Sequence, residues 1–332
     1  MYLTVKSLWC ILMIDLLVLG VIMVTSLAVL AKASHLTIVS VEDMIELSGL
    51  SEGSAGFVVL SVMTSIPEMT IAALAILQGT PGISVGDILG SNMFNIGIVL
   101  GVMALIGPLE KVKSDFLVEM VDVLFFSSAI PIFLVIPILS ASLQTVRPLI
   151  GMILIGVFIF SVCIAAKTQR APLTDMQRAD IRRKSMKVVL AKVVAGISVV
   201  ILAAKCAVWS ASTIAAVLGI PPILIGAKII AIGTSLPELA LDVTAVRRGR
   251  IHLAIGDVIG SNLSNIALAL GIVLLVSPLT VNLTILTEIL PFLLIITLLL
   301  WRFLTKGGIP KWGGILLIMV YILFQATLTM PK

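Results

Sequence analysis

Long apolar stretches, separated by short polar connections, cover almost the whole chain. Ten of them are long enough to cross about 30 Å of hydrocarbon as helices. They run over residues 9–31, 54–77, 83–106, 116–139, 146–166, 188–209, 222–246, 252–276, 282–304 and 312–330. The pattern predicts an all-α polytopic membrane protein with ten transmembrane helices.

The chain is an internal duplication. Residues 56–109 recur without a gap at 226–279, with 19 identities over 54 positions. Five spans precede the midpoint and five follow it, and an odd number of crossings per copy inverts the second copy. We expect two inverted five-helix repeats, at residues 1–166 and 188–332, joined by a basic linker at 167–187. This architecture is typical of secondary transporters.

Composition and charge agree with a membrane location. The chain is 60% hydrophobic and 12% charged, whereas soluble domains carry about 25% charged residues. With the N-terminus outside, sixteen of the 22 lysines and arginines fall in inner segments and three in outer ones. The positive-inside rule then predicts extracytoplasmic termini and a cytoplasmic linker. The basic linker is also suited to contact with anionic lipid.

The basic linker does not indicate a nucleic-acid partner, because no aromatic residue interleaves its charges. The sequence also carries no cofactor motif, and it implies no obligatory protein partner. Lipid and small ions are the partners that it predicts.

Two polar motifs interrupt the apolar pattern at equivalent places in both copies. They read T-S-x-P-E, at residues 64–68 and 234–238, and G-D-x-x-G-S-N-x-x-N, at residues 86–95 and 256–265. A charged residue inside a membrane costs about 2.5–3.5 kcal/mol on insertion scales, so an intramembrane acid is a functional candidate. Glu68 and Glu238 are therefore the first site candidates.

The prolines of the first motif predict broken helices. Pro67 and Pro237 have no amide hydrogen, so we expect carbonyl oxygens to be freed around residues 61–64 and 231–234. Residues four apart share a helix face. This spacing relates the pairs Thr64 and Glu68, Thr234 and Glu238, Ser91 and Asn95, and Ser261 and Asn265.

All of these candidate ligands are oxygens. Oxygen-only sites suit hard cations such as calcium, whereas soft metals prefer sulfur or imidazole. Two glutamates balance one divalent ion, and without it their charges repel. The pair would then favour reloading with sodium ions or protons, which is a physical rationale for exchange.

The two pairs of motifs resemble the alpha repeats of the calcium/cation antiporter superfamily, and most closely its sodium/calcium exchanger branch. The resemblance implies that Glu68 and Glu238 are the central ligands shared by calcium and sodium. It implies that the first and sixth helices slide against the core. The other implied ligands are the side chains of Thr64, Thr234, Ser91 and Ser261, the carbonyls of Ser61 and Ala231 in flanking sodium sites, and Asn95 and Asn265 in the middle.

Three features depart from the family pattern or refine it. Met63 stands where the family usually has glycine, which predicts altered packing beside the first motif. Asn265 stands where some relatives have aspartate, so the site keeps two carboxylates. The motif T-S-x-P-E differs from the G-N-x-x-E form of proton/calcium exchangers, which favours sodium as the driving ion.

The predicted function is an antiporter that exchanges calcium for sodium by alternating access. The alternatives are a proton-driven calcium exchanger and, less well supported, a cation channel or ion-binding membrane protein. An intramembrane hydrolase using Ser65 or Ser235 lacks an orienting third group nearby in sequence. The sequence therefore predicts a transporter and no enzyme.

Three further acids receive structural interpretations. Asp87 and Asp257 are placed in the first turns of their helices, where the helix dipole accounts for them. Asp242 either lines an inner vestibule or pairs with Arg247 or Arg248 near the membrane interface, and pairing is the favoured interpretation.

Overall fold

The computed structural model describes residues 15–30, 32–33, 36, 39–40, 61–112, 114–134, 143–167, 185–221, 225–247, 249, 251–277 and 283–327. Every regular element in these residues is a helix, and each of the ten predicted spans has a helical counterpart. The all-α prediction is confirmed.

The helices define spans that are numbered here in chain order. The first five spans are Asp15–Leu30; Ser61–Thr64 with Ile66–Leu77; Pro81–Phe94 with Leu100–Ile106; Asp115–Ala129, extended by Ile130–Leu134; and Leu143–Lys167. The second five are Met186–Leu218; Ala231–Thr234 with Leu236–Arg247; Ile251–Leu263 with Leu270–Val276; Leu283–Thr305; and Lys311–Thr327. Among the described residues, six helices are long and apolar enough to cross a membrane unbroken.

The sixth span is longer than predicted. It has 33 residues, against the expected 188–209, and at 1.5 Å per residue it is about 50 Å long. It ends at Gly219, which adopts the left-handed conformation with φ 64°. The apolar pattern marked only the most hydrophobic part of this helix.

The predicted breaks at the prolines are confirmed. The second span turns at Ser65 (φ −84°, ψ 2°), and the seventh turns at Ser235 (φ −88°, ψ 5°). The carbonyls of Ser61 and Ala231 are not freed entirely. Each still accepts a hydrogen bond from the backbone amide four residues later, at 3.1 and 3.2 Å. Each keeps one lone pair for another partner.

Three π-helical segments widen the central spans at positions that the sequence pattern did not predict. They are Asn95–Val99 in the third span, Gly226–Ile230 at the start of the seventh and Ser264–Ala269 in the eighth. Such segments are frequent at functional sites. Asn95 and Asn265 both lie within them.

The second, third, seventh and eighth spans pack together at the centre of the molecule. The third and eighth are 83% buried over their most apolar stretches, whereas the sixth is 25% buried. The first and sixth spans share a second apolar cluster with parts of the central spans, and this cluster includes Leu27 and a row of alanines on the sixth span. The site candidates therefore lie in the most enclosed part of the fold.

Helices approach each other closely at glycine at two equivalent places. A Cβ on Gly101 would lie 3.0 Å from the carbonyl oxygen of Gly314 in the tenth span. A Cβ on Gly271, which is related to Gly101 by the duplication, would lie 3.2 Å from the carbonyl oxygen of Gly151 in the fifth span. The same packing device serves both halves.

Candidate functional site

Hydroxyl groups from the two halves meet at the crossing of the four central spans. The Thr64 and Ser261 hydroxyl oxygens are 2.6 Å apart, and those of Ser91 and Thr234 are 3.3 Å apart. The duplication relates these two contacts, because it pairs Thr64 with Thr234 and Ser91 with Ser261. All four side chains are fully buried. Each half thus contributes to both sides of the site.

Asp87 and Asp257 belong to this network. The prediction that they lie in the first turns of their helices is wrong. Their helices begin at Pro81 and Ile251, six residues earlier, so the N-terminal dipole does not account for them. Thr234 donates to Asp87 Oδ1 at 3.2 Å, and the Thr64 hydroxyl lies 3.5 Å from Asp257 Oδ1.

A sequence signal for these two aspartates existed. Each lies four residues before the serine of its motif, on the same helix face, and each recurs in register with the duplication.

Glu68 and Glu238 are both buried in the interior. Their exposed fractions are 0% and 1%, and the two carboxyl groups are close enough to interact electrostatically. Glu68 has hydroxyl neighbours from both halves, namely Ser91, Thr234 and Ser235. Ser235 donates to Glu68 Oε1 at 3.4 Å. The structure therefore brings the two predicted glutamates together, away from lipid.

Several buried oxygens at the centre have no hydrogen-bond partner among the described residues. They include Glu68 Oε2, both carboxyl oxygens of Glu238, Asn95 Oδ1 and Asn265 Oδ1. Buried polar atoms are nearly always paired, so a cluster of exceptions calls for an explanation. Hard cations bind oxygens of this kind.

The acids alone do not form a metal site. No group of three or more His, Cys, Asp or Glu side chains in the described part of the chain is arranged to hold a metal ion. A cation at the centre would need amide, hydroxyl and carbonyl oxygens as well as the two glutamates. The observed arrangement supplies these, because the candidate ligands of both motifs converge.

The two proposed carbonyl ligands lie beside the threonines. The Thr64 hydroxyl donates to the carbonyl of Ser61 at 3.1 Å, and the Thr234 hydroxyl donates to that of Ala231 at 3.2 Å. Ser91 Oγ is 3.5 Å from the same Ala231 carbonyl. The structure thus connects the four hydroxyl residues with the two carbonyls, and it buries Glu68, Glu238, Asn95 and Asn265 in the same central spans. The role of all ten residues as ligands stays a prediction.

Asp242 does not lie at the interface beside Arg247, one of the two arginines expected as its partner. Asp242 is 1% exposed and lies beside Asp257 in the interior, whereas Arg247 is exposed. Arg248 lies outside the described residues.

The side chain of Met63 also lies outside the described residues. The equivalent of Met63 is Gly233, where a Cβ would lie 3.0 Å from the Leu27 side chain.

The enclosed crossing of broken helices from two related halves defines a polytopic membrane transporter. A family model described as sodium/calcium exchanger protein matches residues 18–167 and 188–330. The chain belongs to this family, and it is accordingly a multi-pass membrane protein that acts as a cation/calcium exchanger and is no enzyme.

Individual relatives agree with this assignment. The chain is 30% identical over 353 residues to sodium/calcium exchanger MaX1 of Methanosarcina acetivorans, covering 92% of this chain and 97% of that one. It is 32% identical to inner membrane protein YrbG of Escherichia coli, over 67% and 69% of the two chains. A solved structure of the sodium-calcium exchanger NCX_Mj, soaked with Na+ and Sr2+, matches with a TM-score of 0.67 and 29% identity, covering 94% and 99%.

Proposed function

We propose that this protein exchanges calcium for sodium across a membrane by alternating access, and that the two cations compete for one central site. The observation that carries the proposal is the meeting of Glu68 and Glu238 from opposite halves, with three of their four carboxyl oxygens lacking a hydrogen-bond partner among the described residues. Two carboxylates neutralise one calcium ion. Sodium ions supply the same charge when calcium leaves.

The remaining residues have complementary roles in this proposal. Asn95 and Asn265 supply amide oxygens beside the glutamates. The flanking sodium sites use Thr64, Thr234, Ser91 and Ser261 together with the carbonyls of Ser61 and Ala231. Hydroxyl oxygens both donate and accept hydrogen bonds, so they can turn from one another toward a cation as it enters.

Alternating access would come from movement of the first and sixth spans against the four central ones. The sixth span packs against the second span, within an apolar cluster that includes Leu30 of the first span, Ala75 of the second and Ala207 of the sixth. Apolar contacts are non-directional, so such a surface suits sliding. We also propose the orientation given by the positive-inside rule, with both termini outside and the 167–187 linker in the cytoplasm.

A proton-driven exchanger is the second candidate, and buried acids outside the proposed calcium ligands favour it. Asp242 and Asp257 lie close to each other in the interior and are 1% and 0% exposed. Two ionised carboxylates at close range repel each other, so a proton or a cation is needed beside such a pair.

Flux measurements in sealed vesicles test both candidates. Purified protein is reconstituted, and calcium-45 uptake is recorded under an outward gradient of sodium, of potassium or of protons. Sodium-calcium exchange predicts uptake only with the sodium gradient. Uptake that follows the pH gradient and ignores sodium would support proton coupling, and uptake without any second gradient would indicate a channel.

A further inference from the structure

The second half carries a buried acid that the first half lacks. Asp242 follows Glu238 by four residues, so both side chains lie on one face of the seventh span. The duplication places Ala72 at the equivalent position in the second span. Asp242 is 1% exposed and Ala72 is 3% exposed. The two halves therefore differ by one carboxyl group at matching, enclosed positions.

The surroundings of Asp242 contain other acids but no basic partner among the described residues. Its helix packs against the eighth span, the π-segment 95–99 and the helix that follows this segment. The charged or titratable side chains on these neighbours are Asp257 and His252, and His252 is exposed. On its own helix, Glu238 interacts electrostatically with Asp242 and Arg247 is exposed.

An oxygen of Asp242 remains without a partner in this environment. Asp242 Oδ2 has no hydrogen-bond partner among the described residues, and both carboxyl oxygens of Glu238 also lack one. A buried carboxyl group is ionised only beside a compensating charge and otherwise takes up a proton. The nearest charge that the proposed function supplies is a cation held by Glu238.

We propose that Asp242 is a specificity-determining residue, whose negative charge strengthens the preference of the central site for divalent over monovalent cations. This inference rests on the proposed exchange of calcium and sodium. Coulomb energy is proportional to the charge of the cation, so a fixed carboxylate attracts a calcium ion twice as strongly as a sodium ion at the same distance. Asp242 thus adds to the two glutamates without replacing either.

The test compares Asp242→Asn, which removes the charge with little change in shape, with Asp242→Ala, which copies the first half. Calcium half-saturation is measured from calcium-45 uptake, and sodium half-activation from calcium efflux. We expect half-saturation for calcium to rise about tenfold or more in both variants, because a charge inside the protein acts through a low dielectric. Sodium half-activation should rise by a smaller factor.

Two further variants serve as matched controls. Asp115→Asn removes a carboxylate from an exposed position at the start of the fourth span and should leave both constants unchanged. Asp242→Glu keeps the charge and should retain most of the calcium preference. Size-exclusion profiles report whether each variant is folded.

If Asp242→Asn kept the wild-type half-saturation for calcium and half-activation for sodium, the inference would be overturned. This holds even if Asp242→Ala is impaired, since the role of Asp242 would then be hydrogen bonding. Equal losses for calcium and sodium would overturn it as well. Equilibrium binding of calcium-45 to the purified protein gives the same comparison without transport. If wild-type vesicles show no coupled flux, the proposed exchange fails on its own, and the binding comparison still decides the role of Asp242.

Discussion

The contact between the third and seventh spans sets the spacing of the site. A Cβ added at Gly226 would lie 2.4 Å from the Ile83 carbonyl oxygen and 2.8 Å from the Asp87 amide nitrogen. Both are backbone atoms, so a side-chain rotation cannot relieve the clash. Ordinary contact begins near 3.4 Å, and the seventh span would have to move by about 1 Å (3.4 − 2.4) in Gly226→Ala.

This displacement reaches the site directly. Thr234 donates to Asp87 at 3.2 Å and its hydroxyl lies 3.3 Å from that of Ser91. A further 1 Å would take both distances beyond the limit of a hydrogen bond. We expect Gly226→Ala to weaken calcium binding as well as stability.

The magnitude follows from two opposing terms. Overpacking a tight contact costs about 1–3 kcal/mol, whereas replacing glycine with alanine in a helix gains roughly 0.5–1 kcal/mol. Gly156→Ala is the matched control, because no atom lies within 4 Å of a Cβ at Gly156. Gly156→Ala gains the helix stabilisation of alanine but creates no steric clash. The difference between the two variants should therefore be about 1–3 kcal/mol.

Equilibrium unfolding in mixed detergent measures this difference, and calcium-45 uptake measures the half-saturation constant. Gly226→Ala should be the less stable variant and should need more calcium. If it matched Gly156→Ala in both measurements, the reasoning that this backbone contact sets the distance between Asp87 and Thr234 would be refuted.

Three further predictions concern single positions. Thr234→Val removes the hydroxyl that contacts Asp87 and Ser91 and should weaken sodium-dependent calcium efflux. The control Thr213→Val should transport like wild type, because among the described contacts its hydroxyl bonds only its own helix. Equal efflux rates in the two variants would show that Thr234 is not part of the site. Asn265→Asp adds a titratable group beside the glutamates and should make uptake more dependent on pH, so an unchanged pH profile would argue against its position in the site. Gly308→Ala should lower the unfolding temperature, because Gly308 has φ 146° and a Cβ there would clash with the Leu109 carbonyl oxygen. A wild-type melting curve would contradict this close contact.

The architecture could be predicted from the sequence because each signal for it lies within a single segment of the chain. Apolar length located the ten spans, and Pro67 and Pro237 located the breaks, since a missing amide hydrogen acts on its own helix. The duplication then picked out the two glutamates. Their convergence needed only the inverted relation of the halves, which follows from an odd number of spans.

Other features depended on contacts between distant segments. Asp87 and Asp257 gained their importance from threonines on the opposite half, so reading each helix alone misassigned them. Asp242 was expected beside Arg247 because the two are close in sequence, whereas the fold buries it near Asp257. The π-segments arise from how the central helices pack, and propensity alone does not reveal them.

The central claim is that Glu68 and Glu238 hold one calcium ion together and that sodium displaces it. Equilibrium calcium-45 binding to the purified protein tests it most directly, with Glu68→Gln, Glu238→Gln and the surface control Glu119→Gln compared across a sodium titration. We predict one calcium ion per wild-type chain, displaced by sodium, and loss of this binding in either site variant but not in the control. Wild-type affinity in both site variants would contradict the account.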